Sequence, residues 1–307
     1  MDRQTLVRQM LSRGIMLTPQ ALEKAMKNGP ESVLGGHVQQ APAAGAGKNA
    51  EKLSVIVKST PMQRKITPED AISAGRKRYE ILRKLVLRKA ADAVSVNNAL
   101  GSSAGVCVVG EVKEVGKDGF RLEDLTGAVK VSSKEHVSEN DIIGVRGWIR
   151  NNSLFAEEVI YPDIPIGRDI PAIEGRVLFT GGRTEPLQDA DVIVTPDTVF
   201  WGKNERRIPN PAWLLLERGG KKAAILAYNA GRTVGKDEAI VWLRRRYIGD
   251  TAVIPDTETV LNDIPDILYI IGGNEPWTAN YKGVTVISSN NKKHVIVEMK
   301  TRTVRIL

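Results

Sequence analysis

Apolar and polar positions follow distinct regimes along the chain. Residues 2–28 carry a short helical pattern. In LTPQALEKAM, Thr18 is placed as N-cap and Pro19 at the first helical position, and Gly29-Pro30 stops the run. These residues predict a small helical region over 1–30. The Ala-, Gly- and Gln-rich stretch GGHVQQAPAAGAGKNAEK has no apolar period and predicts a flexible linker over 31–60. A second helix is signalled by Thr67-Pro68-Glu69-Asp70, an N-cap followed by proline and an acid at the third position. Ile72, Tyr79, Leu82, Val86 and Ala90 then fall on one face, with Gly75 between them. A helical glycine costs about 1 kcal/mol against alanine. The basic residues Arg76, Lys77, Arg83, Lys84, Arg88 and Lys89 cover the rest, so 61–98 is predicted as a basic helix packed on the next domain.

From residue 99 the period changes to that of strands. GVCVVGEVKEV, FRLEDL, AVKVSS, DIIGVRGWI and SLFAEEVIY are five strand candidates, with turns at GKDG, Thr126-Gly127 and Asn151-Asn152. SKEHVSEND is read as a short helix and loop between the third and fourth strands. The count and order predict a five-stranded OB barrel over 99–166, with a small sandwich as the other possibility. Residues 167–307 look α/β. The candidates are VLF at 177–179, VIV at 192–194, AAILAY at 223–228, ILYII at 267–271 and VTVIS at 284–288. A helix is predicted in DEAIVWLRRRY, and HVIVEM with TVRIL forms a closing hairpin. The intervening segments are too short for regular βαβ crossovers. A compact mixed sheet and an α/β domain that has lost helices both fit.

Composition narrows the chemistry. The length of 307 residues predicts about two domains. Cys107 is the single cysteine, which excludes a disulfide framework and a cysteine zinc site and suits a reducing compartment. His37, His136 and His294 are too far apart in sequence for a local ligand pair. No apolar run predicts a membrane span, and MDRQTLVRQM lacks the core of a signal peptide, so a cytoplasmic location is expected. The net charge of +8 is uneven. Residues 1–100 hold 17 Lys/Arg against 8 Asp/Glu, whereas residues 101–166 hold 7 against 11. The basic excess points to nucleic acid or to a solvated helix face. The acidic barrel, with Phe120, Trp148, Phe155 and Tyr161 as its aromatics, points to protein contact more than to autonomous single-strand binding. The glycine pairs at 181–182, 219–220 and 272–273 match no nucleotide-binding fingerprint. The five tryptophans (148, 201, 213, 242 and 277) read as core or interface anchors.

Four stretches in order resemble the small subunit of the archaeal D-family DNA polymerase. They are KITPEDAISAGRKRYEILRKLVLRKA, GEVKEVGKDGFRLEDLTGAVKV, IIGVRGWIRNNSLFAEEVIYPDIP and LRRRYIGDTAVIPDTETVLNDIPDILYIIGGNEPWTANYKGVTVISS. The resemblance implies N-terminal helices, a linker, an OB fold and a calcineurin-like phosphoesterase domain, here shortened. In that family the last domain is a 3′–5′ exonuclease whose two divalent ions activate water. Its DxH, GD, GNH, lone-His and GHxH ligands are not matched. Gly182 and Thr184 stand where the first Asp and His would be, Asp197 is the acid left near the GD position, and no GNH occurs. Tyr228 and Asn229 replace the lone-His loop, and Gly272 and Asn274 replace the two histidines of GHxH. Asp191, Asp197, Asp263 and Asp266 could be imagined as an unusual ligand set, although Asp263 and Asp266 read more plainly as a cap before a buried strand.

The expectation is therefore a non-catalytic accessory subunit that scaffolds the large catalytic subunit of a D-family polymerase. Its basic helix would contact DNA through the complex, near the nucleoid, and it would bind no membrane and hold no cofactor. The rival readings are a Mg²⁺- or Mn²⁺-dependent exonuclease with unusual ligands and a stand-alone single-strand-binding OB protein.

Overall fold

The computed structural model describes residues 52–58, 67–182, 190–249, 259–272, 275–290 and 292–307. The predicted helical region over 1–30 lies outside the described residues. In chain order the elements are β1 (Ser54–Lys58), α1 (Pro68–Leu87), α2 (Val96–Leu100), β2 (Gly105–Gly116), β3 (Gly119–Glu123), β4 (Ala128–Ser132), β5 (Ile142–Arg150) and β6 (Ser153–Ile160). They continue with β7 (Arg176–Phe179), β8 (Val192–Val194), β9 (Thr198–Trp201), β10 (Asn204–Arg207), β11 (Ala212–Arg218), β12 (Lys221–Asn229) and α3 (Lys236–Arg245). The chain closes with β13 (Ile267–Ile271), β14 (Trp277–Tyr281), β15 (Val284–Ser289), β16 (Val295–Glu298) and β17 (Thr303–Ile306). The fold is mixed α+β and mostly strand. It divides into a unit of Pro61–Pro165 with Asp237–Asp263 and a unit of Met1–Thr60, Ile166–Lys236 and Ile264–Leu307.

The first unit is built on a closed barrel in the order β2-β3-β4-β6-β5, with β5 returning to β2. Only the β4–β6 pairing is parallel. Alternate residues turn inward, so Val108, Val112, Leu122, Val131, Ile143, Val145 and Leu154 fill the interior. Asn151 and Asn152 both take positive φ, the geometry a two-residue hairpin requires. Gly147 sits at a bulge where an added Cβ would lie 1.9 Å from the Phe155 carbonyl oxygen, so no side chain fits there. The predicted helix between the third and fourth strands is absent. Residues 133–141 form turns, because Ser133 Oγ and Asp141 Oδ2 accept from the nearby amides of Glu135 and Ser138. Such local bonds offer the backbone an alternative to a helix.

Helix α1 starts as predicted. The Thr67 side chain accepts from the Asp70 amide and Asp70 accepts from Thr67, a complete capping box. Its buried residues are Arg78, Leu82 and Val86. The expected burial of Ile72 is corrected, since that side chain is 59% exposed. Steps of four residues rotate the buried stripe by about 40° each. At the helix start the half-buried positions are therefore Ala71, Ala74 and Gly75. Helix α3 and the return through Val260 also belong to this unit, not to the C-terminal domain expected over 167–307. Tyr247 and Val260 pack with Leu82 and Ile142, and the Arg246 guanidinium donates to the carbonyls of Leu261 and Asn262.

The second unit contains two six-stranded sheets, β1-β11-β12-β13-β15-β14 and β10-β9-β8-β7-β16-β17. One apolar cluster draws on both. Val55, Leu214, Ile225 and Tyr269 come from the first sheet, and Phe179, Val192 and Val297 from the second. The Phe179 and Tyr269 rings lie 4.8 Å apart. The β12–β13–β15 set and the β7–β8 pair are parallel. Of the two expectations for 167–307, the mixed sheet fits this unit, in which, among the described residues, no helix lies wholly inside. The linker expected to reach residue 60 is corrected too. Val55 and Val57 alternate with exposed residues along β1, which pairs antiparallel with β11 and buries those two valines in the core.

Candidate nucleic-acid interface and strand-end loops

Arg76, Lys77, Arg83, Lys84, Arg88 and Lys89 are all exposed. At about 100° per residue, the first five span roughly 140° of the helix surface, opposite the buried stripe. Lys89 lies past the helix end, and its Nζ donates to the Tyr161 carbonyl at 3.1 Å. Arg76, Arg83 and Lys84 also line a cleft of about 550 Å³ between α1 and the barrel. Tyr79, Glu80, Glu111, Glu123, Asp124 and Leu125 complete its walls, so the cleft carries both signs of charge. Burial pushes the Tyr79 hydroxyl above its ordinary pKa, against the lowering effect of Arg83.

Arg78 was not singled out by the sequence. It is 4% exposed, its Nη2 lies 2.6 Å from Glu111 Oε1, and its guanidinium stands 5.4 Å from the centre of the Tyr247 ring. The signal was available, because 78, 82, 86 and 90 are spaced by fours and all four are buried. Asp141 is its counterpart on the barrel. It is 3% exposed, 3.5 Å from Arg245 Nε, and burial holds its carboxyl above the usual range despite that arginine. The structure splits the barrel aromatics. Phe120 and Tyr161 are buried, while Trp148 and Phe155 are about half exposed and face each other across β5 and β6. Trp148 Nε1 donates to Glu157 at 2.7 Å. Burial, with the Asp141 charge, pushes the Tyr161 phenol up to about 12.

The strand-end positions of the other unit are neutral or capped. Gly182, in the loop after β7, donates its amide to Thr180 Oγ1. Its neighbour Gly181 bonds to the Asn290 carbonyl after β15, with backbone so close that an added Cβ would lie 2.7 Å away. Asp197 is exposed, and its Oδ1 accepts from the Thr195 and Thr198 hydroxyls, as a turn cap does. Tyr228 and Asn229 end β12, where the Asn210 side chain both donates to and accepts from the Asn229 backbone. Gly272 follows β13 with φ at +116°. Thr184 and Asn274 lie outside the described residues, as does His37.

The four aspartates are not brought together by shared partners. Asp191 accepts from the Arg176 amide, and Asp263 is exposed. Asp266 is buried, 2.7 Å from Arg168, and accepts from the Ala224 amide. That is the capping role the sequence suggested. His136 lends its carbonyl to the Tyr161 hydroxyl, and His294 pairs its backbone with Leu307. Among the described residues no three His, Cys, Asp or Glu side chains are grouped as metal ligands. Of these described strand-end positions Gly182 and Gly272 offer no side-chain donor, Tyr228 and Asn229 each offer a neutral oxygen, and Asp197 is the one carboxylate. Among the described residues no helix is long and apolar enough to cross a membrane.

No family model matches the chain. It is similar to the DNA polymerase II small subunit of Archaeoglobus fulgidus, with 29% identity over 173 residues, 52% of this chain and 32% of that relative. It is also similar to the DNA polymerase II small subunit of Thermoplasma acidophilum, with 26% identity over 191 residues, 54% of this chain and 39% of that relative. The resemblance to small subunits of the archaeal D-family polymerase is thus found in two curated relatives, and the matches span less than half the length of either. Among solved structures, a full-length MCM homolog from Methanopyrus kandleri aligns with 68% of this chain and 63% of its own, at 14% identity and a TM-score of 0.21. That score is too low to bear on the fold.

Proposed function

We propose that the chain is a non-catalytic accessory subunit of a D-family-like DNA polymerase, holding the large catalytic subunit and contacting DNA only within that complex. The observation that carries this reading is the similarity to two archaeal DNA polymerase II small subunits, each over about half the chain. The strand order of the barrel, with one parallel closure, supports an OB fold. Two sheets sharing one core, each with parallel strands at its centre, support a reduced calcineurin-like domain.

The loss of nuclease chemistry follows from the donor set. An exonuclease of this class needs two ions to generate hydroxide and to stabilise the leaving oxygen. Gly182 and Gly272 carry no donor, and Tyr228 and Asn229 offer only a neutral oxygen each where the family has histidine. Retaining the fold without its ligands leaves a surface for docking. The acidic barrel suits a protein partner. The outward cations Arg76, Lys77, Arg83 and Lys84 of α1, with its C-cap Arg88, suit phosphate, and Lys89 is committed to the Tyr161 carbonyl. No resident metal or cofactor is part of this reading.

Oligonucleotide binding separates the proposal from its rivals. The isolated chain should bind a primer–template weakly or undetectably, and a large subunit should bring it into a DNA-bound complex. Tight, salt-sensitive binding by the chain alone would favour the single-strand-binding reading instead. With Mn²⁺ and a 3′-mismatched primer, no EDTA-sensitive degradation is expected. Degradation abolished by Asp197→Ala would establish the exonuclease alternative.

A further inference from the structure

Leu125 is more exposed than any other large apolar side chain among the described residues, at 91%. It occupies the turn between β3 and β4, and that turn is firmly held. Asp124 accepts from the Val96, Thr126 and Gly127 amides, and Thr126 Oγ1 accepts from the Asn97 amide. Those bonds tie the turn to α2, whose Val96 and Ala99 are buried in the barrel core. A single exposed leucine needs no explanation by itself. This one stands on the wall of the cleft of about 550 Å³ between α1 and the barrel.

The same cleft holds polar groups without partners. The Tyr79 hydroxyl is buried and makes no hydrogen bond of good geometry, although the Arg83 charge is close. Leaving a buried polar atom in that state is costly. Arg76, Arg83 and Lys84 form no ion pair among the described residues. The barrel carboxylates opposite them are already engaged. Glu111 lies 2.6 Å from Arg78 and 3.1 Å from Lys113, Glu123 lies 3.5 Å from Arg121, and Asp124 holds its turn. Among the described residues Glu80 is the lining carboxylate left unpaired, so the unpaired charge of the cleft is positive. Gly75 lines the cleft as well. A helical glycine is unfavourable against alanine, and here its missing side chain leaves the wall open.

We propose that this cleft takes one unpaired nucleotide at the end of a DNA duplex, with its base against Leu125 and its phosphates on Arg76, Arg83 and Lys84. Leucine is among the apolar side chains that wedge against bases in DNA complexes. The donors and acceptors on a base edge give the Tyr79 hydroxyl the partner it lacks. A duplex backbone alone would meet the cations and leave Leu125 and Tyr79 unused. The inference rests on the reading of α1 as a phosphate-binding face. It adds a preference for an unpaired base over a plain duplex.

The test uses the full chain at low ionic strength, where phosphate contacts are strongest. Three DNA duplexes are compared: one blunt, one with a single-nucleotide overhang, and one whose overhang lacks its base. The overhang duplex should bind about tenfold tighter than the other two, equivalent to about 1.4 kcal/mol. Leu125→Ala should bring the three affinities together, Leu125→Met should keep the preference, and Tyr79→Phe should reduce it. Arg83→Glu should weaken all three alike. Leu125 is exposed, so its variants should melt with the parent, which separates a lost preference from a lost fold. The proposal fails if no duplex binds, if the three bind equally, or if Leu125→Ala or Tyr79→Phe leaves the preference intact. Should Leu125→Ala keep the preference and instead release a large subunit, the leucine is a protein anchor and the proposal is overturned. A chain that joins no large subunit would leave these ratios standing, so the assembly reading and this one fail separately.

Discussion

Asp124 shows how a single side chain fixes a turn that the sequence had marked. Its Oδ1 accepts from the Thr126 amide, the Thr126 hydroxyl and the Gly127 amide, and its Oδ2 accepts from the Val96 amide at the start of α2. Burial pushes this carboxyl up, but the Thr126, Val96 and Gly127 bonds outweigh it and hold the pKa below the usual range. A carboxyl depressed in the folded state adds stability above its unfolded pKa of about 3.9, and that stability is lost as pH falls through the folded value. Asp124→Ala should cost about 1–2 kcal/mol at pH 7 in urea unfolding, and the gap to the parent should close below about pH 4. Arg78 makes the opposite point, since its charge is a liability once its partner is removed. Its Nε and Nη1 have no hydrogen-bond partner, and Glu111 provides its ion pair. Glu111→Ala, which strands that buried cation, should cost about 3 kcal/mol. Replacing Arg78 itself with methionine should cost clearly less, and denaturant melts of both variants check the order. Asp266→Ala should lose about 3 kcal/mol through Arg168 and the Ala224 amide, as breaking a buried ion pair does. The same substitution should leave DNA binding unchanged, as expected of a structural aspartate and not a metal ligand.

Helix α1 and the barrel strands were readable because local signals and tertiary burial agree. The Thr67 cap, the Asn151-Asn152 turn and the two-residue alternation each mark a boundary that the structure keeps. β10 has no such signal. Its residues Asn204–Arg207 are all exposed, and pairing with β9 alone makes it a strand. β1 was hidden in a low-complexity neighbourhood, although Val55 and Val57 alternate correctly. The 133–141 segment departs from the expected helix because its polar side chains bond their own backbone instead of continuing one. The basic face of α1 carries a direct prediction. Reversing Arg83, Lys84 and Arg88 to glutamate should weaken DNA binding by the assembled complex. It should also flatten the plot of log affinity against log salt by about three slope units, about one per lost phosphate contact. An unchanged slope would return those side chains to the role of a solvated face.

The molecule as a whole was the least readable level, because its units are discontinuous in sequence. Residues 237–263 leave the two-sheet unit and join the barrel unit, and no periodicity marks that crossing. Both sheets contribute to one core, yet the strands that meet in it, such as β1 and β11, lie more than 150 residues apart in the chain. What the sequence did carry is the mismatch between a D-family small-subunit pattern and the residues at its ligand positions. Gly182, Tyr228, Asn229 and Gly272 stand where that pattern carries metal ligands. The proposed role therefore rests on assembly and not on chemistry. Assembly can be measured by co-expressing the full chain with a D-family large catalytic subunit and determining the mass of the purified species by light scattering. A stable complex containing one copy of each chain, persisting in moderate salt, is expected. A chain that elutes alone, with the large subunit in a separate peak, would contradict it.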